Sequence, residues 1–580
     1  MKFSTKVCLI VLAAYAAAIL AQAAETVDPR VRAYVDPVRV VWKTEGAAGY
    51  VGRCKVRNEA ALLAPKFGQV RERDACQLES AGNAAAIVLD FGRELHGGLQ
   101  IEVNRGTRCS KVRVRFGESV AETFSDALSG ERGAGNDHAM RDFEIMLPVC
   151  GSLEVGNTGF RFVRLDLLTS GSLDLGAVRA VSLMRPMKRL GSFRCSDERL
   201  NRVFETAVRT VHLCCQEYLW DGIKRDRLVW MGDTHPETRS ILTVFGAASV
   251  LPESLDYAAE TTPAADAVMN TMPNYTLWWI RNVHDWWFYT GDRAYLAKHR
   301  DYLKTVLPRI LKTVKPDGTQ TWGGFLDWPT QHNAEACKEG TCGLLATTLG
   351  DAAEMLRVTG DTDLAAQCDA AVKLLKGRKP DPCGSKQAAA LLALGGLREP
   401  KEMFAEVLGK GGVAGVSTFY GYYMLEAMSA AGEDQRALDT VRDYWGAMLD
   451  VGATSFWENF DLAWTNNCFR IDEMPSAATS GKKDIHGDYG EFCYPGFRHS
   501  LCHGWAGGPA AWCIHHVLGI RPLGVGCCKV EVRPFLGDLA WAEGAMALPD
   551  GRAVRVRAEK KPDGSLSVKV DAPADIEVVK

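Results

Sequence analysis

Three carboxylates lie in one short segment of the chain, from Asp221 to Asp233, together with three basic residues and a tryptophan between two glycines. Offsets of five and seven residues separate Asp226 from the two outer carboxylates, so a helix would not place all three on one face. They can converge only if the segment forms a loop, which the glycines permit. The same composition also fits a solvated loop held by ion pairs such as Arg225–Asp226.

A second acidic motif lies late in the chain, between Gly452 and Asp461, where Glu458 follows Trp457. Cleavage of a glycosidic bond needs two carboxyl groups, one that donates a proton and one that activates water or attacks directly. The motif follows a predicted helix at 434–449, so Glu458 is expected in a loop. The alternative is that Glu458 satisfies backbone N–H groups at a helix start while Trp457 anchors a core.

Aromatic side chains beside hydrogen-bonding groups indicate further contacts for a polar ring. Trp230 offers a flat surface within the first motif, and Asp327 and Trp328 share a turn rich in Gly and Pro. That turn has an equally simple structural interpretation. His503 precedes a glycine and a tryptophan; we interpret it as a ligand contact, although a buried, satisfied imidazole is the commoner role of a lone histidine.

The length of 580 residues predicts two to four domains, and the net charge of −3 gives no electrostatic reason to expect nucleic acid or an anionic membrane surface. Seventeen cysteines remain after Cys8 is set aside, an odd number at irregular spacing, so most are expected as small buried apolar residues. Cys337 and Cys342 lie in a predicted polar loop and could pair. No cysteine or histidine spacing fits a zinc site.

The first 24 residues have the order of a secretory signal: basic residues, an apolar run over 7–20, then small residues up to Ala24. No cysteine follows at once, so we expect no lipid anchor. No other apolar stretch reaches the length of about 18 residues that a membrane span needs. The sequence therefore predicts an exported protein, periplasmic or secreted.

Periodicity divides the remaining chain into three parts. Residues 25–188 show short alternating runs typical of a β-sandwich. Residues 189–520 begin with a helix that Ser196 is expected to cap, and continue with helix after helix in pairs, which favours a toroid of helical hairpins. Residues 521–580 return to alternation and predict a small C-terminal β-domain.

Several of these motifs together resemble the bacterial α-L-rhamnosidases of glycoside hydrolase family 78. The resemblance spans almost all of the mature chain. The residues that carry it are Leu89 to Gly98, Gly191 to Glu198, Asp221 to Asp233, Asp327 with Trp328, Trp457 with Glu458, and His503 to Trp505.

The resemblance implies an (α/α)6 barrel flanked by an N-terminal β-sandwich and a small C-terminal β-sandwich. It also implies hydrolysis of terminal α-L-rhamnosyl linkages with inversion at the anomeric carbon. At matching positions, Asp226 falls on the general acid and Glu458 on the general base. The positions expected to contact the sugar are Asp221, Arg225, Trp230, Asp233, Asp327, Trp328, Trp457 and His503.

Two departures from the family pattern affect the first motif. The acid is usually Glu, whereas Asp226 is one methylene shorter, and a proline that commonly follows Asp221 is absent. A shorter donor needs a shifted loop or a different sugar position. We expect desolvation by Trp230 and other aromatics to raise the pKa of the donor.

The sequence thus predicts an exported glycosidase that removes terminal α-L-rhamnosyl or similar deoxy-sugar residues, with no cofactor and no metal. Its expected partner is a carbohydrate substrate, with no nucleic acid and no membrane span. One alternative is a non-catalytic glycan-binding relative that lost hydrolysis through the Glu-to-Asp change. Another is a toroidal polysaccharide lyase with Tyr489 or His486 as the base.

Overall fold

Long, bent antiparallel strands build the N-terminal domain. The computed structural model describes residues 27–45, 54–65, 74–81, 84–266, 268–476 and 479–580, so the predicted signal sequence lies outside the described residues. Within these ranges the domain has nine strands: β1 Val31–Val35, β2 Arg39–Lys43, β3 Lys55–Arg57, β4 Cys76–Ser80, β5 Ala85–Gly106, β6 Ser110–Gly117, β7 Asp142–Leu147, β8 Gly151–Leu167 and β9 Gly171–Met184.

The nine strands pair in the order β3-β4-β9-β5-β8-β6-β7, with β1 on β9 and β2 on β5. Register shifts between Asp90 and Leu95 bend β5, so its two halves lie in different parts of the sheet. Apolar side chains of β4 to β9 enclose a separate hydrophobic core. This arrangement confirms the predicted β-sandwich at the N-terminus.

A helical domain follows, and its elements alternate between an outer and an inner ring. It contains α1 Glu198–Cys214, α2 Thr234–Val244, α3 Val250–Thr261, α4 Pro273–Thr290, α5 Arg293–Lys298, α6 Arg300–Leu311, α7 Ala334–Thr359, α8 Thr362–Lys376, α9 Lys386–Leu394, α10 Pro400–Met403, α11 Gly421–Ala430, α12 Asp434–Thr440, α13 Gly446–Asp450 and α14 Pro509–Trp512. Single π-helical turns extend α10, link α12 to α13 and extend α14.

The inner ring closes on itself. Helix α2 packs on α4, α4 on α7, α7 on α9, α9 on α11, α11 on α14 and α14 back on α2. Each inner helix is preceded in the chain by an outer one, which gives six helical hairpins. The predicted (α/α)6 barrel is therefore confirmed. None of the helices in the described ranges is both long and apolar enough to span a membrane.

The last part of the chain returns to strands that pack directly on the barrel. After the short pair β11 Cys468–Phe469 and β12 Lys483–Asp484 within the barrel loops, these strands are β13 Ile520–Pro522, β14 Lys529–Val532, β15 Trp541–Ala547, β16 Ala553–Lys560, β17 Leu566–Asp571 and β18 Glu577–Val579. The short strand β10 Ser192–Cys195, ahead of the barrel, pairs with β15 and completes a four-stranded sheet. One hydrophobic core runs from the barrel into these strands, so the two parts form one packed body.

Two local predictions are wrong. Asp197, not Ser196, caps α1, because its carboxylate accepts the N–H groups of Arg199 and Leu200. Cys337 and Cys342 lie in α7 rather than in a loop, and both are buried free thiols. An offset of five residues turns two side chains to different sides of a helix, so they cannot pair.

Candidate active site

A cavity of about 190 Å³ lies where loops lead into the inner helices of the barrel. Drug-sized ligands occupy pockets of about 300–1,000 Å³, so this cavity suits a single small ring. Four carboxylates, two basic side chains and several aromatic rings face it. The lining residues are Asp221, Arg225, Asp226, Trp230, Asp233, Met272, Tyr275, Trp328, Glu458, Cys493, Tyr494, His503 and Trp505.

A larger groove, of about 730 Å³, runs along the C-terminal sheet between β10 and β17. Its two acidic side chains are ion-paired with neighbouring arginines, Glu543 with Arg557 and Asp571 with Arg555. Among the described residues that line it, Phe193 alone is aromatic. The smaller cavity, with convergent carboxylates and basic groups, is therefore the better candidate for catalysis.

The segment from Asp221 to Asp233 is a loop, as its spacing predicts. The Asp221 carboxylate accepts the N–H of Asp226 at 2.7 Å and that of Leu228 at 2.9 Å, which folds the loop back on itself. Gly232 is required by close packing, because a Cβ there would lie 2.3 Å from the ring of Tyr275. The loop is thus fixed by its own first carboxylate and by the barrel wall.

Arg225 lies between two carboxyl groups that are far apart in the sequence. Its guanidinium donates to Asp226 Oδ1 at 3.0 Å, and its other terminal nitrogen lies 3.7 Å from Glu458 Oε2. The same Glu458 oxygen accepts the N–H of Ser500 at 3.1 Å. One cation therefore faces both residues that the sequence singles out as acid and base.

Asp233, His503 and Tyr275 form a hydrogen-bonded group on one side of the cavity. Asp233 Oδ1 lies 3.0 Å from His503 Nε2, and the Tyr275 hydroxyl donates to Asp233 Oδ2 at 2.9 Å. Burial raises the pKa of Asp233 to about 8 and lowers that of His503. A carboxyl, an imidazole and a phenol hydroxyl thus lie together beside the cavity, which suits recognition of a hydroxyl group that both donates and accepts.

Desolvation acts on the buried carboxyl groups of the cavity. The side chain of Asp226 is 21% exposed and accepts a hydrogen bond from Arg225. Burial, with Asp233 and Asp226 nearby, raises the pKa of Asp221 to about 7, although His503 opposes part of this. Burial also raises the pKa of Glu458, which Arg225 and His503 partly offset.

Aromatic side chains wall the cavity at several angles. The ring of Trp230 meets Tyr275 edge-on at 5.8 Å, and that of Trp328 meets Tyr494 edge-on at 6.4 Å. Trp505 lies against His503, with ring centroids 4.2 Å apart. Apolar faces beside carboxylates and an imidazole are the surface that a sugar ring requires.

Asp327 does not line the cavity. Its carboxylate accepts hydrogen bonds from Thr330 at 2.9 and 2.5 Å, from Ser417 at 2.6 Å and from Gln387 at 3.1 Å. These bonds tie the turn before α7 to the barrel. The Asp327–Trp328 turn thus serves two purposes, because only Trp328 reaches the cavity.

Trp457 also lies behind the cavity rather than in its lining. It is fully buried, and its ring meets Phe460 at 5.7 Å and His499 at 6.1 Å. The core-anchor interpretation therefore describes this residue, while its neighbour Glu458 faces the cavity. All other residues predicted to contact the sugar line the cavity.

Five lining residues were not among those predicted, namely Met272, Tyr275, Cys493, Tyr494 and Trp505. The last three share the loops around a Pro-Gly pair and His503, and an aromatic beside such turns is a signal that sequence reasoning could have used. Met272 precedes α4 and Tyr275 lies in its first turn, and nothing in the helical pattern distinguishes them.

His138 is a further neighbour, and it comes from the β-sandwich. Its Nε2 lies 3.3 Å from Asp226 Oδ1. The loop that carries it is held to the barrel by an ion pair between Asp137 and Arg498. No periodicity or motif relates residue 138 to the barrel, so only the fold reveals this contact.

The two bases considered for a lyase do not line the cavity. His486 is fully buried, with Nδ1 2.8 Å from Ser119 Oγ and Nε2 2.9 Å from the His499 carbonyl oxygen. Burial lowers its pKa to about 3. Tyr489 stacks on Trp464 at 5.4 Å. Neither is placed to remove a proton from a sugar in the cavity.

Residues 188–373 match the family model described as the bacterial alpha-L-rhamnosidase 6 hairpin glycosidase domain. This range contains the Asp221 to Asp233 loop and Trp328. A curated alpha-L-rhamnosidase from Formosa agariphila is 20% identical over 185 residues, which cover 31% of this chain and 19% of that protein. The match thus spans about a fifth of the relative's length.

Solved structures agree on the fold over most of the chain. A GH78 family rhamnosidase of Bacillus sp. GL1 is 22% identical with a TM-score of 0.71, covering 90% of this chain and 55% of that one. A rhamnosidase from Klebsiella oxytoca, solved with rhamnose bound, is 19% identical with a TM-score of 0.67 and coverage of 84% and 96%. At such identity the likeness establishes the fold.

Proposed function

We propose that this chain, which carries a six-hairpin glycosidase domain of the bacterial α-L-rhamnosidase family, is an exported glycosidase that hydrolyses terminal α-L-rhamnosides with inversion. The observation that carries the proposal is the pair Asp226 and Glu458, which face one cavity on either side of Arg225. The predicted signal over 1–24 supports export.

In the proposed reaction, Asp226 donates a proton to the glycosidic oxygen and Glu458 removes a proton from the attacking water. Inversion requires carboxyl groups about 6.5–9.5 Å apart, which leaves room for that water. A single guanidinium reaching towards both groups fits a separation of this order. The raised pKa of Glu458 makes it a stronger base near neutral pH.

Arg225 stabilises the charges that the reaction moves. It neutralises the Asp226 carboxylate that forms on proton donation, and it faces Glu458 before that residue accepts a proton. Electrostatic groups already oriented in this way cost no reorganisation during the reaction.

The remaining lining residues hold the sugar. Asp233 and His503 bond its hydroxyl groups, while Trp230 and Trp328 cover its apolar faces. The methyl group of a 6-deoxy sugar suits an aromatic wall. The small cavity fits one terminal ring rather than the middle of a chain.

Turnover of an aryl α-L-rhamnoside tests the proposal. Asp226→Asn and Glu458→Gln should each lower kcat by about 10²–10⁴-fold, because each removes a proton-transfer group. Asp461→Asn is the matched control, since Asp461 belongs to the same motif, is exposed and caps a short helical turn. It should retain wild-type kcat.

Two results would contradict the proposal. One is wild-type protein that binds L-rhamnose in calorimetry but releases no aryl group, which would favour the glycan-binding alternative. The other is full activity in either carboxyl variant.

A further inference from the structure

A buried ammonium group lies where the β-sandwich meets the barrel. It belongs to Lys224, in the loop that holds the proposed proton donor. Its Nζ lies 2.8 Å from Glu122 Oε1 and 3.3 Å from Glu118 Oε2, both from the β-sandwich. It also donates to the carbonyl oxygens of Phe497 at 2.6 Å and His499 at 2.9 Å. The cation therefore joins three separate segments.

The same acids could be mistaken for a metal site. Glu118, Glu122 and His486 each place a ligand atom within 4.8 Å of the others. Lys224, however, already supplies a positive charge at hydrogen-bonding distance from Glu122, and Arg141 donates to the same oxygen at 2.8 Å. Although burial alone would raise it, these two cations lower the pKa of Glu122 to about 2. The cluster is complete as an ion-pair network.

Glu118 also reaches the proposed general base through the backbone of residues 499–501. Its Oε2 accepts the N–H of Leu501 at 2.7 Å, and its Oε1 lies 3.4 Å from Ser500 Oγ. Ser500 in turn donates its N–H to Glu458 Oε2 at 3.1 Å and accepts the N–H of Glu458 at 3.0 Å. One residue thus separates Glu118 from the base.

We propose that Glu118 of the β-sandwich is a positioning residue for the reaction, acting on Glu458 through Ser500 and on the loop of Asp226 through Lys224. The inference rests on the proposed function and adds to it: the β-sandwich sets the separation of the two catalytic carboxyl groups. Both connections are buried, with contacts of 2.7 to 3.4 Å from Glu118, so a displacement of Glu118 is transmitted to both carboxyl groups.

The size of the expected effect follows from geometry. Misplacing a reacting group by about 1 Å costs on the order of 10²-fold in rate. Since the sugar contacts of Asp233 and His503 do not pass through Glu118, ground-state binding should be unaffected. The role therefore predicts a fall in kcat with little change in KM.

Three variants test the inference. Glu118→Gln removes the charge facing Lys224. Glu118→Asp keeps that charge and withdraws the carboxylate by one methylene. This more conservative variant is the test to use if Glu118→Gln does not fold. The matched control is Asp166→Asn, which removes an equally buried acid of the same domain, paired with Arg115 at 2.8 Å and joined to no cavity residue.

We expect Glu118→Gln and Glu118→Asp to lower kcat on an aryl α-L-rhamnoside on the order of 10²-fold, with KM and the affinity for L-rhamnose in calorimetry within about threefold of wild type. Asp166→Asn should keep kcat. Equal kcat in the Glu118 variants and the control, with active wild type, would overturn this inference alone. So would a loss of rhamnose affinity that matches the loss of kcat. Wild type without turnover would overturn the proposed function, and this inference with it.

Discussion

Arg225 is the residue on which the chemistry of the cavity depends most. Four carboxylates face one small space, and without a cation they would repel one another. Arg225 is nearly buried, and its guanidinium faces Asp226 and Glu458. Burial raises the pKa of the other two acids, Asp221 and Asp233, to about 7 and about 8. Two of the four carboxyl groups thus face the guanidinium, and the other two form no ion pair with it among the described residues.

The raised pKa of Asp233 predicts how stability depends on pH. In the unfolded chain an aspartate titrates near 3.9, so the folded state binds the extra proton between about pH 4 and pH 8. Its stabilising contribution is complete below about pH 4 and is lost as pH rises to about 8. Between pH 5 and pH 7 the free energy of unfolding should fall with pH more steeply in wild type than in Asp233→Asn, by up to about 1.4 kcal/mol per pH unit.

Urea unfolding across this pH range measures the difference. Asp361→Asn is the control, because a hydrogen bond from Arg300 lowers the pKa of Asp361 to about 2. That group titrates below about pH 4 in both states, so its variant should run parallel to wild type between pH 5 and pH 7. A parallel curve for Asp233→Asn as well would show that Asp233 is ionised throughout.

Residue types in the chain identify the acid and base candidates but not how each is solvated. Spacing shows that Asp221, Asp226 and Asp233 need a loop, and the loop forms. Which of them is buried depends on contacts with Tyr275 and His503 from elsewhere in the chain. Desolvation is a property of the packed site, so residue types alone do not show which carboxyl groups it affects.

At the scale of elements, the barrel places every lining residue in a loop ahead of an inner helix or at its start. Periodicity predicts the outer helices better than the inner ones, because inner helices such as α9 and α11 are buried on most sides and not on one face alone. It predicts their ends less well, as Asp197 and the early start of α7 at Ala334 show. Cap choice between two adjacent polar residues depends on backbone angles, and the polar residues at 334–343 face solvent only in part.

The loop that carries His138 predicts an effect of the β-sandwich on the proton donor. His138 Nε2 lies 3.3 Å from Asp226 Oδ1 and helps to orient a side chain that is one methylene shorter than Glu. His138→Ala should lower kcat/KM roughly tenfold, or about 1.5 kcal/mol, because it removes a polar contact to the proposed proton donor, although the same Nε2 also lies near Asp137 and Arg498. His138→Gln, which keeps a donor, should recover most of the loss. Kinetics on an aryl rhamnoside measure both variants. Unchanged kcat/KM in His138→Ala would exclude this role.

At the scale of the whole molecule, the β-sandwich and the barrel form one functional unit. Its three-part organisation is readable from the change of period along the chain, and the fold confirms it. The contacts between the parts are not readable in this way, because Glu118 and His138 stand in segments of ordinary composition and nothing in the sequence relates them to Lys224 or Asp226. Residues that meet at an interface between domains do not recur at a regular spacing in the sequence.

The configuration of the first sugar released tests the central claim most directly, since it reports the arrangement of Asp226 and Glu458. Proton NMR of an aryl α-L-rhamnoside mixed with the wild-type protein follows the two anomers before they equilibrate. We predict that β-L-rhamnose appears first and that the α-anomer grows in later by mutarotation. Initial release of α-L-rhamnose, or of no rhamnose at all, would contradict the account.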